Sequence, residues 1–158
     1  MTWLRRTFEP GTQRANLVVR LLVGLVFLPE GMKKFLFAAQ WGAGRFERIG
    51  IPYPAPMASL VGGVEIGCGL LVVLGLATRL ASVPLLATMA VAIATTKLPL
   101  LWRATAVTAR TGFWSMQSES RTDYAMVMGL LFLLVAGAGP WSLDAAVARR
   151  RDPPGPPR

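Results

Sequence analysis

One acidic side chain, Glu65, stands near the middle of a run of residues that otherwise carries no charge. The run extends from Pro56 to Ala77 and is long enough to cross a bilayer as a helix. A central carboxylate costs such a helix about 3 kcal/mol, which offsets much of the gain from its ten Leu, Ile and Val residues. Ionisable groups at this depth usually face other helices and mark a site, so Glu65 is a candidate functional residue.

Three candidate partners for the Glu65 carboxyl group follow from the sequence. Arg20 can approach it from one side of the membrane, Lys34 can approach it from the other, or the carboxyl can keep its own proton. The sequence leaves these three alternatives open.

Helical spacing divides the segment around Glu65 into two faces. Gly62 and Gly69 share the face of Glu65. A second face carries a row of small residues, namely Ser59, Gly63 and Gly67. Such rows are typical of helix packing, and this one offers a contact for a homodimer.

A second charged group lies near the end of the first apolar segment. Glu30 precedes Lys33 and Lys34 by three and four residues, a spacing that favours ion pairs along one helix. In the structural interpretation, the two lysines extend toward the membrane surface while they pair with Glu30. In the functional interpretation, Glu30 is an ionised acid at the mouth of a polar pocket. Both interpretations stay open.

The depth of each polar group follows from the helical rise of about 1.5 Å per residue. Measured from the side that holds both chain termini (the terminus side), Glu65 lies about 16 Å deep and Lys97 about 27 Å deep. The far side holds the two long connections (the loop side), and the last apolar segment begins there. The sequence therefore predicts one ligand-binding cluster toward the loop side, formed by Glu30, Lys33, Lys34, Glu65, Lys97, Asp123 and Tyr124.

Four apolar segments supply the helices that must position this cluster. They span residues 15–37, 56–77, 79–96 and 123–139. The expected fold is all-α, an integral membrane four-helix bundle with an interfacial segment between the third and fourth helices. The expected organisation is a basic N-terminal segment (1–14), a transmembrane domain (15–145) and a disordered, basic, Pro-rich tail (146–158).

The composition supports the membrane assignment and excludes several functions. The chain has 158 residues, of which 53% are hydrophobic, and a net charge of +9. Its basic residues lie between the apolar segments, where they can meet lipid headgroups, so we expect no nucleic-acid partner. With no histidine and one cysteine, the chain is not expected to hold haem, an iron–sulfur cluster or zinc. A slight excess of basic residues on the terminus side predicts cytoplasmic termini.

Several sequence motifs resemble the DoxX family of small bacterial membrane proteins. They lie between residues 15 and 145, at Arg20–Phe27, Glu30–Phe35, Leu60–Glu65, Leu74–Arg79, Gly112–Trp114, Asp123–Ala125 and Gly139–Asp144. The resemblance implies a four-helix protein of the bacterial inner membrane with cytoplasmic termini. Some relatives are described as membrane subunits of quinone-linked oxidoreductases or as partners in oxidative-stress complexes. Relatives often carry histidine where this chain has Glu30 and Lys97, which speaks against a histidine-dependent role.

Three functions are therefore considered. The first is a membrane subunit or scaffold that holds a lipophilic ligand, a quinone being the candidate cofactor, and supports a redox enzyme carried by other chains. The second is a small proton-coupled transporter that uses Glu65. The third is a structural or assembly protein whose polar cluster sets the helix register. The residues do not predict an autonomous enzyme.

Overall fold

The computed structural model describes residues 12–102 and 111–151, and these residues form helices and turns without a β-strand. Seven α-helices are numbered here in chain order. They are α1 (Thr12–Leu36), α2 (Ala43–Arg48), α3 (Pro54–Leu74), α4 (Thr78–Ala92), α5 (Phe113–Glu119), α6 (Arg121–Ala136) and α7 (Leu143–Arg151). A π-helical turn (Ile93–Lys97) and a 3₁₀ turn (Leu98–Leu101) continue α4.

Three segments are long and apolar enough to cross a membrane. They are Ala15–Leu36, Pro54–Leu74 and Thr78–Leu101. The all-α membrane fold is thus confirmed, but only three of the four predicted spans are confirmed. Helix α6 has 16 residues, which corresponds to about 24 Å against a hydrocarbon core of about 30 Å.

The four long helices pack in a ring around one apolar core. Helix α1 contacts α3 and α6, and α4 contacts the same two helices. The most buried core side chains are Val23, Val72, Leu85, Leu130 and Leu133, all 0% exposed. They come from the terminus-side halves of their helices, so the core fills that half of the domain.

Glycines allow α1 and α3 to approach closely. A Cβ atom added to Gly31 would lie 2.8 Å from the carbonyl oxygen of Gly62, so no side chain fits there. This contact brings the face with Glu65 against α1. The opposite row, Ser59, Gly63 and Gly67, is exposed and does not pack within the described chain. Its role as a homodimer contact stays a prediction.

The connection between α3 and α4 is longer than predicted, because three residues rather than one separate the two helices. Helix α3 ends at Leu74 because Gly75 adopts a left-handed conformation (φ +68°), and α4 begins at Thr78. In this region Ala77 also has a positive φ of 48°. The predicted end of the second segment at Ala77 was therefore too late.

Both long connections contain a short helix. The first connection holds α2, and the interfacial segment after α4 holds α5. Residues 146–151 were predicted to be part of a disordered tail. That prediction is wrong for these residues, which are helical as part of α7. Helix α1 begins inside the predicted N-terminal segment, at Thr12. Residues 1–11, 103–110 and 152–158 lie outside the described part of the chain.

Candidate functional site

A cavity of about 580 Å³ lies on the loop side of the core. All four long helices contribute to its wall, and α2 with the segment after it lies over one part. Most of the wall is apolar, including Val26, Phe27, Met57, Val61, Met89 and Met126. A void of this size, with apolar walls and few polar groups, has the properties of small-molecule and cofactor sites.

The deepest polar group of the cavity is an ion pair between α1 and α3. Lys34 Nζ lies 2.5 Å from Glu65 Oε2, and the side chains are 13% and 9% exposed. Lys34 Nζ also lies 3.4 Å from the carbonyl oxygen of Glu30. The structure thus selects Lys34 from the candidate partners of Glu65. Removing either partner of such a buried pair leaves an uncompensated charge.

A second ion pair lies at the loop-side end of α4. Lys97 Nζ lies 3.4 Å from Asp123 Oδ2 and donates a hydrogen bond to the carbonyl oxygen of Glu119 at 2.8 Å. Lys97 ends the π-helical turn, and single π-turns inserted into α-helices are frequent at functional sites. Thr96 of the same turn also lines the cavity, and its hydroxyl donates to the carbonyl of Ala92.

The mouth of the cavity combines charged and aromatic side chains. Glu30 Oε1 pairs with Lys33 Nζ at 2.5 Å, and that ammonium lies 4.8 Å from the centre of the Trp41 ring. The guanidinium carbon of Arg45, on α2, lies 5.5 Å from the same ring. Trp41 therefore makes cation–π contacts with two basic residues and holds the connection against α1.

The structure brings together five of the seven predicted site residues. Glu30, Lys34, Glu65, Lys97 and Asp123 line the cavity. The other two are not among the lining residues. Lys33 binds Glu30 at the mouth, and the hydroxyl of Tyr124 donates to Met116 Sδ at 3.4 Å. A ligand-binding role of the seven residues stays a prediction.

Sequence reasoning missed much of the cavity wall. The residues it did not single out as site residues include Trp41, Arg45, Phe46, Thr88, Thr96 and Glu119. The basic residues between the apolar segments indicate contact with lipid headgroups, and the sequence gives no sign that some of them line a cavity. Hydroxyl side chains on the inner face of α4 were a usable signal, although hydroxyls that bond to the preceding turn are common in membrane helices.

At the terminus side, a different polar arrangement surrounds Arg20. This side chain is 2% exposed, and its guanidinium donates to four backbone carbonyls. The distances are 2.9 Å to Val72, 2.6 Å to Val73, 3.0 Å to Ala138 and 2.7 Å to Trp141. We call Arg20 and these four carbonyls the carbonyl cluster. Arg20 is thereby committed to backbone groups and is not the partner of Glu65.

Neighbouring residues extend the connections of the carbonyl cluster. Asn16 Nδ2 donates to the carbonyl of Gly137 at 3.2 Å. Asp144 Oδ1 accepts from the backbone N–H of Ala77 at 2.9 Å, and the N–H of Asp144 donates to Gly75. These bonds join α1, the α3–α4 turn and the segment between α6 and α7. The helices are therefore tied together at the end opposite to the cavity.

The cavity is suited to binding a ligand. The described residues contain no group of three or more His, Cys, Asp and Glu side chains that could hold a metal ion. Cys68 is a partly buried free thiol that packs against the core. The polar groups that face the void are ammonium, carboxylate and hydroxyl groups, which can orient a ligand with oxygen atoms.

The fold and the cavity together define the class of protein: an all-α integral membrane protein with a cavity of ligand size between its helices. The DoxX family model matches residues 15–98, which is more than half of the chain. The chain belongs to the DoxX family.

Two similar proteins have been identified. The first is the uncharacterized membrane protein Rv3486 of Mycobacterium tuberculosis, 54% identical over 132 residues, which cover 84% of this chain and 80% of that protein. The second is a Bacillus subtilis protein named "Putative oxidoreductase CatD", 29% identical over 145 residues, with 91% and 92% of the two chains covered. No solved structure matches the chain significantly.

Proposed function

We propose that this chain is a membrane subunit or scaffold that holds a lipophilic ligand in its loop-side cavity and supports a redox or oxidative-stress enzyme carried by other chains. The observation that carries the proposal is the cavity of about 580 Å³ with apolar walls and the buried Lys34–Glu65 pair. Empty apolar space next to a buried ion pair is costly to the fold, which argues for an occupant.

A quinone is the ligand that we propose to test first. Its ring is flat and apolar and carries two carbonyl oxygens, which need hydrogen-bond donors. The Lys34 ammonium can donate to such an oxygen, and Met89 and Phe27 offer apolar contact to the ring. The name of the Bacillus subtilis relative, an oxidoreductase, supports a redox context.

The membrane arrangement that we propose has four spans in the bacterial inner membrane, with both termini in the cytoplasm. Helix α6 is the fourth span, because it packs against α1 and α4 along the same core. Its 16 residues need only a few more from the adjoining turns to cross the hydrocarbon layer. Arg79 and Arg149 lie on the terminus side, in agreement with a cytoplasmic location.

The exposed row of Ser59, Gly63 and Gly67 is our proposed homodimer contact. A Cβ atom added to Gly63 or Gly67 would meet nothing within 4 Å, so a second helix can approach this face closely. Substituting Gly63 by Leu is expected to leave the fold intact and to remove the dimer in detergent. Light scattering that shows a monomer for both the wild-type protein and this variant would rule the dimer out.

The ligand test compares two acid-to-amide substitutions. Glu65→Gln removes the charge that holds Lys34 in the cavity, while Glu47→Gln changes an exposed acid on α2 that does not line it. Protein purified in a mild detergent is extracted, and bound quinone is measured by mass spectrometry. We expect Glu65→Gln to lower the affinity about tenfold or more, because a hydrogen bond to a charged group contributes about 1.5–3 kcal/mol. Wild-type protein that carries no quinone and binds none when supplied would rule out this ligand.

One observation favours the structural alternative. The Lys34–Glu65 pair joins α1 to α3 beside the glycine contact, so it also sets the register of these two helices. A Glu65→Leu variant that folds normally and leaves the cells unaffected would support that function. The transporter alternative is less favoured, because the fully buried core side chains close the cavity toward the terminus side. Ion flux into liposomes that is unchanged by Glu65→Gln would exclude it.

A further inference from the structure

The two helices of the α3–α4 hairpin are packed together near their turn and separated by the cavity farther from it. Near the turn, Val72 of α3 and Leu85 of α4 belong to one buried apolar cluster. Toward the loop side, Met57 and Val61 of α3 line the cavity, and so does Val91 of α4. The cavity therefore extends between the loop-side ends of these two helices.

The cavity also reaches the outer surface of α4. Val91 is 53% exposed and Ala87 is exposed, although both line the cavity. Both lie in the candidate membrane span Thr78–Leu101, where an exposed side chain faces lipid. We call the opening between Met57 and Val61 on α3 and Ala87 and Val91 on α4 the lateral portal. Its rim is entirely apolar.

Part of the aqueous side of the cavity is covered. Helix α2 lies over that part, with Phe46 8% exposed and lining the cavity together with Ile49. Arg48 holds this cover in place, because its guanidinium donates to the carbonyls of Ala39 at 3.1 Å and Gln40 at 3.0 Å. The lateral portal, with its apolar rim, offers a molecule dissolved in the bilayer a path that needs no transfer through water.

The charges around the cavity cancel. Its lining includes three basic and four acidic side chains, and Lys33, bound to Glu30, adds a fourth base. The bases are Lys33, Lys34, Arg45 and Lys97, and the acids are Glu30, Glu65, Glu119 and Asp123. Six of these eight side chains form ion pairs with one another, and the balance of charge favours an uncharged ligand over an ionised one.

We propose that the lateral portal between α3 and α4 admits an uncharged lipid, with an oxygen-bearing head and an apolar tail, directly from the bilayer. The head reaches the Lys34–Glu65 pair, and the tail lies along the portal rim. The inference rests on the proposed function, since it names the class and the route of the ligand of that cavity. Quinones and diacylglycerols share this chemistry.

The first test measures the opening itself and needs no ligand. A nitroxide label is placed at Thr88, which lines the cavity, through Thr88→Cys in a Cys68→Ser background in lipid bilayers. We expect the label to collide more with oxygen, which concentrates in lipid, than with a water-soluble nickel complex. Val91→Trp should lower the oxygen collision rate about twofold or more, because a large side chain then fills the opening.

The control for this test is Val83→Trp. Val83 lies on the same helix and is also 53% exposed, but it does not line the cavity. Both variants add the same side chain to a lipid-facing position, so a folding or insertion defect would affect them alike. A label at Thr88 that collides more with the nickel complex than with oxygen would show that the cavity opens to water, and the lateral portal would be wrong.

The second test measures passage through the portal. Decylubiquinone and dioleoylglycerol are used as separate probes, and the transfer of bound probe from vesicles with protein to acceptor vesicles is followed. We expect Val91→Trp to slow transfer about fivefold or more while Val83→Trp leaves it unchanged, because an obstructed gate alters rates of entry and release. The probe that binds and shows this difference identifies the class of head group.

The outcomes separate the two proposals. If neither probe binds the wild-type protein, the proposed function fails, whereas the collision measurement still decides whether the portal opens to lipid. If a probe binds but Val91→Trp exchanges it as fast as Val83→Trp does, the lateral route is wrong and the ligand-binding function stands.

Discussion

The two ends of the helical domain both bury basic side chains, but they neutralise them in different ways. At the terminus side, Arg20 donates to four backbone carbonyls and does not line the loop-side cavity. At the loop side, Lys34 and Lys97 face carboxylates across a cavity. Backbone carbonyls are fixed by their helices, whereas side-chain pairs can open to admit another polar group.

This difference distinguishes a structural polar cluster from a binding site. In the carbonyl cluster, Arg20 donates to carbonyls at the end of α3 and in the segment after α6, where backbone groups at helix termini need partners from outside the helix. The loop-side pairs satisfy each other and leave space beside them. Burial of a charged residue in a membrane protein therefore does not by itself indicate a ligand, and the type of its partner must be considered as well.

The largest expected effect comes from Arg20→Met. This substitution removes the guanidinium donor from four carbonyls, two of them buried and two partly buried, and each group left unsatisfied costs about 1–3 kcal/mol. We expect the free energy of unfolding, measured by denaturant titration in mixed micelles, to fall by about 4 kcal/mol or more.

Its matched control is Arg79→Met, because Arg79 is exposed and makes a single described hydrogen bond, to the carbonyl of Val135. That variant should lose less than about 1 kcal/mol. An Arg20→Met protein as stable as the control would show that the carbonyl cluster contributes little, and the contrast between the two ends would disappear.

The second effect concerns the buried pair of the cavity. Lys34→Met leaves the carboxylate of Glu65 unpaired and should cost about 3–5 kcal/mol at most. The double variant Lys34→Met/Glu65→Leu should recover most of that loss, because it removes the charge that was left behind. Unfolding measurements on the wild type, both single variants and the double variant give the coupling energy.

If the double variant recovers stability but not quinone binding, the Lys34–Glu65 pair is needed for binding and not for folding. That result would strengthen the contrast between the cavity and the carbonyl cluster. A double variant as unstable as Lys34→Met would mean that the pair is itself a structural element. In that case the structural alternative for Glu65 would gain support.

The smallest effect is expected at the edge of the cavity. Lys97 pairs with Asp123 at 3.4 Å, and both side chains are partly exposed. Lys97→Met should therefore reduce the free energy of unfolding by only about 1 kcal/mol. Arg121→Met is the control, since the exposed Arg121 donates to the carbonyl of Ser118 outside the cavity. A loss above about 3 kcal/mol for Lys97→Met would show that the Lys97–Asp123 pair stabilises the fold as a buried ion pair does.

The depth of several site residues in the membrane was predictable from the sequence. Helical rise places Glu30, Lys97 and Asp123 on the same side of the membrane, and the structure indeed has them lining one cavity. Tyr124 does not line the cavity although it lies at the same depth as Asp123. Adjacent residues on a helix point about 100° apart, so the two side chains do not share one orientation. The depth of a residue follows from its position in the sequence, but whether its side chain faces the cavity depends on how the neighbouring helices pack.

The choice between Arg20 and Lys34 as partner of Glu65 could not be made from the sequence. Both residues lie on α1, and their side chains are long enough for several alternatives. The segment after α6 decides the matter, because its carbonyls at Ala138 and Trp141 bind Arg20 on the terminus side. That contact joins residues about 120 positions apart, beyond any periodic pattern.

The sequence by itself determined the membrane class, the three long apolar spans and the burial of Glu65, because these depend on local composition and on helical geometry. The tertiary structure alone decided which basic residue meets Glu65, that α2 lies over part of the cavity and that the cavity extends between α3 and α4. These features arise from packing between distant segments, in which side-chain volume and unpaired backbone groups determine the arrangement.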